Sequence, residues 1–232
     1  AVYTRQYFAV FFVYFLYRYY VRIKLRSFIK LFILCITSSI PVLLYTYYFP
    51  ELLSEQHISL NAYSYFLLGN SSIMSIYLYP IILINFFYKG IVLDTKVLQY
   101  FILSVLIVLL LSINFNPTGW QGGGVNFVIS QKLFNNNIYF YFSSIVTFTV
   151  FFHLFFEDKR NIILIVLLLI MFFSYQVYQR YYEPMFFVIF FTLFKTKLLD
   201  IFLKKLAPSI LIFSYFFIYY LLAVSDIIYK IN

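Results

Sequence analysis

The sequence predicts an all-α protein, a single polytopic transmembrane helix bundle over residues 1–232 with about eight spans and both termini extracytoplasmic. Three observations point there. Of the 232 residues, 64% are hydrophobic and 11% charged, where a soluble domain is about 45–50% apolar and about 25% charged. The apolar residues fall in uninterrupted runs of membrane-spanning length. The basic residues fall between those runs with a strong one-sided bias.

A spanning helix needs about 20 mainly apolar residues. The first such run is Val2–Tyr20, followed by a basic stretch from Arg18 to Lys30. The second is Phe28–Phe49, where Pro41 predicts a kink. The third, Tyr65–Tyr88, is interrupted by Gly69, Asn70 and the Ser71–Ser72 pair, so that only Ile73–Tyr88 is cleanly apolar. Val97–Ile113 is the cleanest run, and Asn114–Lys132 reads as a long loop carrying Pro117, Gly119, Trp120 and Gly122–Gly124. The fifth and sixth runs are Ile138–Phe156 and Ile162–Tyr178, separated by Glu157-Asp158-Lys159-Arg160. A seventh begins at Pro184, since proline suits a first helical position and pushes Glu183 out of helical geometry. The eighth is Leu206–Val224.

Placing alternate loops on alternate sides puts 13 of the 17 Lys and Arg on one face and leaves Arg5, Lys132, Arg180 and Lys230 on the other. The positive-inside rule makes the 13-residue face cytoplasmic. The net charge of +9 therefore does not indicate a nucleic-acid partner, because the cations flank apolar spans and share no soluble face. The membrane is bacterial inner membrane, or endoplasmic reticulum in a eukaryote. Cys35 lies in an apolar run and reads as a packing residue. A start at Ala1 without Met or signal peptide is expected of the C-terminal portion of a longer chain.

Four polar groups fall on the extracytoplasmic side: Thr4-Arg5-Gln6, the Glu51–His57 loop, Thr118–Asn126 and Gln179–Glu183. Gln176, Arg180 and Glu183 form one helical stripe. Lys195 follows Glu183 by 12 residues, about 18 Å of helix, against a bilayer core of about 30 Å. Either Lys195 and Lys197 snorkel far, or the Arg180–Glu183 turn dips below the surface, which irregular backbone tolerates only inside protein or beside a water-filled cavity. Gln179, Arg180, Tyr181 and Glu183 are then candidates for binding a phosphate or carboxylate; the alternative is an interfacial anchor of Arg and Tyr at the headgroups. Arg5 and Gln6 suit a phosphate in the same way, or a lipid headgroup. Trp120, Gln121, Gly122 and Gly123 form a candidate binding loop, the glycines allowing close backbone approach and the indole stacking on a sugar or anchoring at the interface. No phosphate-loop motif indicates a nucleotide, and no cofactor or metal site is read. Glu51, Glu55 and His57 are the residue types that hold a divalent ion, but three polar residues in a loop are ordinarily just solvated. His153 is expected to make an interhelical hydrogen bond. Spans four to eight carry almost no central ionisable group, which argues against an ion or proton pump.

Arg180-Tyr181-Tyr182-Glu183-Pro184, opening an apolar helix, resembles the Arg-Tyr-x-x-Pro turn of polytopic GT-C glycosyltransferases. Arg5-Gln6 is similar to the Arg-Gln element of the dolichyl-phosphate-glucose α-1,2-glucosyltransferases. The resemblance covers three short patches in the same order, the glycine-rich loop lying between. It implies sugar transfer from a polyprenyl-phosphate donor on the extracytoplasmic face, with Arg180 and Arg5 on the lipid-linked phosphate and membrane lipid as the other partner. It also implies a catalytic acid early in the chain, for which Glu51 is the one substitute here. A transporter or flippase for a lipid-linked intermediate, and a structural membrane subunit, are the alternative readings.

Overall fold

The computed structural model describes residues 11–20, 25–48, 63–89, 95–116, 122–170, 182 and 185–231. Those residues are helical, with turns and short connections and no strand among them. The elements are α1 (Phe11–Tyr20), α2 (Leu25–Tyr48), α3 (Tyr63–Lys89), α4 (Thr95–Ser112), α5 (Gly124–Phe134), α6 (Ile138–Glu157), α7 (Asn161–Ile170) and α8 (Met185–Thr192). A 3₁₀ turn at Lys197–Leu199, α9 (Asp200–Lys204) and α10 (Leu206–Ile231) complete them. Three helices are long and apolar enough to cross a membrane: Tyr63–Tyr88, Thr95–Ser112 and Ile138–Glu157.

α3 is the central helix. It runs unbroken through the Gly69-Asn70-Ser71-Ser72 segment and through Pro80. The polar interruption that clouded the start of the third run is therefore an interior face. Asn70, Ser71, Ser72 and Ser75 are all fully buried. Small hydroxyl residues let backbones approach closely and bond across helices, as membrane bundles require. Ser71 and Ser75 also return their hydroxyls to the carbonyls of Leu68 and Ser72, one turn back.

Hydrogen bonds fix the helix directions. Ser144 donates to Leu68 O and Thr147 to Ser71 O, so α3 and α6 run parallel. Asn70 donates to Leu169 O, while at the other end of the bundle Asn85 donates to Leu198 O, just beyond α8. α7 therefore runs antiparallel to α3, and α8 parallel to it. α4 runs antiparallel to α6, with Tyr100 stacked on Phe156 near one end and Thr149 donating to Ser104 in the middle.

One apolar core lies among α3, α6, α7 and α8, with Tyr77 stacked between Phe186 and Phe216. A second gathers Leu68, Val108, Phe115, Phe127 and Phe140. The outward faces are apolar too: Leu110 of α4 is 65% exposed and Phe213 of α10 is 71% exposed. Hydroxyls inside and large hydrocarbons outside is the reverse of a water-soluble domain, whose surface carries the polar side chains.

Candidate functional site

Two short helices begin inside the bundle, and both begin beside the polar face of α3. The first is α5. The backbone of Asn116 still lies near the Tyr63 end, exchanging both its groups with the Tyr65 hydroxyl at 3.0 Å. By Asn126 the chain has sunk inward. Asn126 is 1% exposed and donates to Ser72 O at 2.7 Å and to Ser75 Oγ at 2.6 Å. Ser72 and Ser75 lie about 14 and 18 Å along α3 from Tyr63, at 1.5 Å per residue. From there α5 climbs back toward the Tyr63 end, where Ser130 Oγ donates to Asn136 O and accepts from Phe140 N. Asn135, in the left-handed region at φ 49°, caps α5 by donating to Ser130 O.

The stretch read as one loop, Asn114–Lys132, is thus helical from Gly124 onward. Its sequence, GVNFVISQKLF, mixes apolar, amide and hydroxyl residues in a way no exposed amphipathic helix would. Asn126, Phe127 and Ser130 go inward, while Val128 and Leu133 stay exposed. Gly122 and Gly123 are buried at the foot of this helix. Gly123 has φ 82° and Gly124 φ 65°, conformations that a Cβ would disfavour.

The second helix is α8. Tyr182, two residues past Arg180, is fully buried and its hydroxyl donates to Leu168 O at 3.1 Å. The neighbouring Leu169 carbonyl accepts from Asn70, seven residues or about 10 Å along α3 from Tyr63. Met185, Phe186, Ile189 and Phe190 continue inward, all buried. Tyr182 is therefore not a headgroup anchor: the tyrosine body fills the core. α8 ends at Thr192 after 8 residues, about 12 Å, which explains how Lys195 follows Glu183 so closely.

Of the residues singled out in the sequence, Gly122 and Gly123 stand at the foot of α5. Arg5, Gln6, Trp120, Gln121, Gln179, Arg180, Tyr181 and Glu183 lie outside the described residues, as do Glu51, Glu55 and His57. Among the described residues no three of His, Cys, Asp and Glu gather as a metal site would require. Asn126 closes the Thr118–Asn126 group singled out in the sequence, while the sequence does not reveal its pairing with Ser72 and Ser75, or that of Ser72 with Ser143. For Ser72 and Ser75 the signal is the run of small polar residues in α3, which reads in the sequence as an interruption. His153 meets Tyr100 of α4 edge-on, 6.5 Å between ring centroids, and its Nε2 stands 4.0 Å from Glu157 one turn ahead. The first is a contact between helices and the second a pair within α6.

No family model, curated protein or solved structure matches the chain.

The opposite end, by Lys89, is more organised than loops that only orient a helix need to be. Glu157 accepts from Thr196 Oγ1 at 2.6 Å and from Lys197 N at 2.7 Å. Asn161, 2% exposed, donates to Leu154 O and Lys195 O and accepts from Lys195 N. Arg160 clasps the Asp158 carboxylate at 2.9 Å, and this hydrogen bond holds the Asp158 carboxyl below its usual value.

Proposed function

We propose that the chain is a multi-pass integral membrane protein of about eight spans with its Tyr63 end extracytoplasmic, and that it forms the membrane-embedded part of a glycosyltransferase using a polyprenyl-phosphate-linked sugar. The observation that carries this is the burial of Tyr182 against Leu168 O. Tyr182 stands within the Arg180–Pro184 sequence that resembles the GT-C turn. An arginine spared full water screening is worth more to an anionic phosphate.

In the reaction so read, an acceptor hydroxyl oxygen bonds to the anomeric carbon as the bond from that carbon to the phosphate oxygen breaks. Polyprenyl phosphate leaves with the electron pair, stabilised by the Arg180 guanidinium. The hydroxyl proton passes to a carboxylate base. The glycine-rich foot of α5 supports the same reading, since it brings backbone close to the polar face of α3 at a comparable depth.

The test is transfer of labelled sugar from a polyprenyl-phosphate donor by the complete protein in proteoliposomes. Arg180→Ala is expected to lose at least about tenfold in rate, the worth of one charge-assisted contact, with the melting curve unchanged. Equal rates remove Arg180 from the mechanism. A second reading, movement of a lipid-linked intermediate across the bilayer, is favoured by the same two helices starting inside the bundle, a construction transporters use near the midplane. Accessibility of a fluorescent lipid-linked sugar to an external quencher distinguishes the two: transport changes it with no acceptor present, and transfer requires the acceptor.

A further inference from the structure

The Lys89 end carries a second surface, which the sugar-transfer reading does not use. Between α8 and the 3₁₀ turn the backbone is held at successive residues. Asn161 pairs with both backbone groups of Lys195. Glu157 takes the Thr196 hydroxyl and the Lys197 N–H. Thr196 Oγ1 accepts from Leu198 N, and Leu198 O accepts from Asn85. An ordinary connection leaves such groups to water. Here the main chain is pinned from below by α3, α6 and α7, while the side chains of Lys195 and Lys197 remain exposed.

Other cations join them. Arg160 adjoins Asn161 in sequence, and Lys195 acts on the same Asp158 that Arg160 clasps. Lys159, Lys204 and Lys205 are exposed, and Lys205 Nζ lies 5.0 Å over the Tyr88 ring at the end of α3. Among the described residues these six cations adjoin three carboxylates, Glu157, Asp158 and Asp200, and Lys96 opens α4 at the same end. Glu157 is engaged by Thr196 and Lys197 N, and Asp158 by Arg160. Directly beside them the surface turns apolar, with Phe87, Phe156 and Leu206 each more than half exposed. Exposed cations on a held backbone, bordering exposed hydrocarbon, match a layer with acyl chains on one side and anionic headgroups on the other.

We infer that the pinned Lys195–Lys197 segment, with Arg160 and Lys205 beside it, is a docking surface for anionic phospholipid headgroups. The inference rests on the membrane-spanning reading above, and not on glycosyl transfer. The geometry favours lipid over an acidic protein, because the cations line the rim of the apolar belt.

The experiment uses the full chain. Alkaline carbonate extraction of its membranes first separates a spanning protein, which stays with the lipid, from a peripheral one. The protein is then placed in nanodiscs of phosphatidylcholine with and without phosphatidylglycerol, and retained lipids are counted by native mass spectrometry after release into detergent. Preferential retention of phosphatidylglycerol is expected. It should weaken about thirtyfold in Lys195→Gln/Lys197→Gln, at roughly 1 kcal/mol per cation near an anionic surface, and be unchanged in Lys132→Gln at the other end. Lys204→Gln/Lys205→Gln supplies an independent reduction should the first pair unfold. Equal retention of both lipids, equal loss from Lys132→Gln, or binding of a polyglutamate peptide without lipid preference overturns the inference while leaving the spans intact. Extraction by carbonate overturns the spanning reading, and this one with it.

Discussion

Asn126 gives its amide hydrogens to a carbonyl and a hydroxyl of α3. Replacing it with Ala should remove both bonds, with Ser72 O keeping the Ser75 hydroxyl, and cost about 1–2 kcal/mol, the range for such bonds between membrane helices. Thermal denaturation in detergent would read the loss, and an unchanged midpoint would mean that α5 is held by its apolar contacts alone. Gly123→Ala, at φ 82° and ψ 0°, should cost a further 1–2 kcal/mol or so from the crowding of Cβ in left-handed backbone. Outside the apolar helices, Asp158 has its carboxyl lowered by the Arg160 hydrogen bond. A depressed carboxylate favours the folded state above its unfolded-state pKa, and that contribution fades as pH falls through the lowered folded value. The window therefore lies in the acid range, below the ordinary aspartate value of 3.8. Arg160→Gln should bring the Asp158 titration, followed by NMR, back up toward that value.

At the scale of elements, the seam between α3 and α6 is built for close approach: Ser72 Oγ and Ser143 Oγ stand 2.8 Å apart, and Ser144 and Thr147 bond to carbonyls of α3. Ser143→Leu should overpack this contact and cost about 1–3 kcal/mol. Phe142→Leu, on the 48% exposed side of the same helix, should leave the melting temperature within a degree or two. These helices were legible from apolar runs alone: Val97–Ile113 against α4 at Thr95–Ser112, and Ile138–Phe156 against α6 at Ile138–Glu157. Runs identify helices that face lipid, since nothing but length and hydrocarbon is asked of them. α5 was not legible, because a helix lodged among other helices carries amides and hydroxyls where lipid would demand leucine. α8 was not legible at its end, where Thr192 stops it after only 8 residues, and Pro184, where the sequence places its start, lies outside the described residues. Of the candidate site, the glycines could be read from their need for positive φ. Asn126 and the serines facing it could not, because their pairing spans more than fifty residues of chain.

For the whole molecule, the parallel packing of α3 against α6 has a consequence for biogenesis. Consecutive crossings of a bilayer alternate in direction, so parallel neighbours are never successive products of the ribosome. Ser72 meets Ser143 only 71 residues later, and Asn70 meets Leu169 only 99 residues later. On the membrane-spanning reading proposed above, a nascent α3 resides among acyl tails before its partners exist. The bonds from Ser71 and Ser75 to their own helix let the hydroxyls wait without water. The Asn70 amide bonds to Leu169 O, a carbonyl synthesised 99 residues later. Translation arrested before α7 emerges should yield an α3 more easily pulled from the bilayer than the finished protein, and Asn70→Leu should make that early intermediate the more firmly inserted of the two.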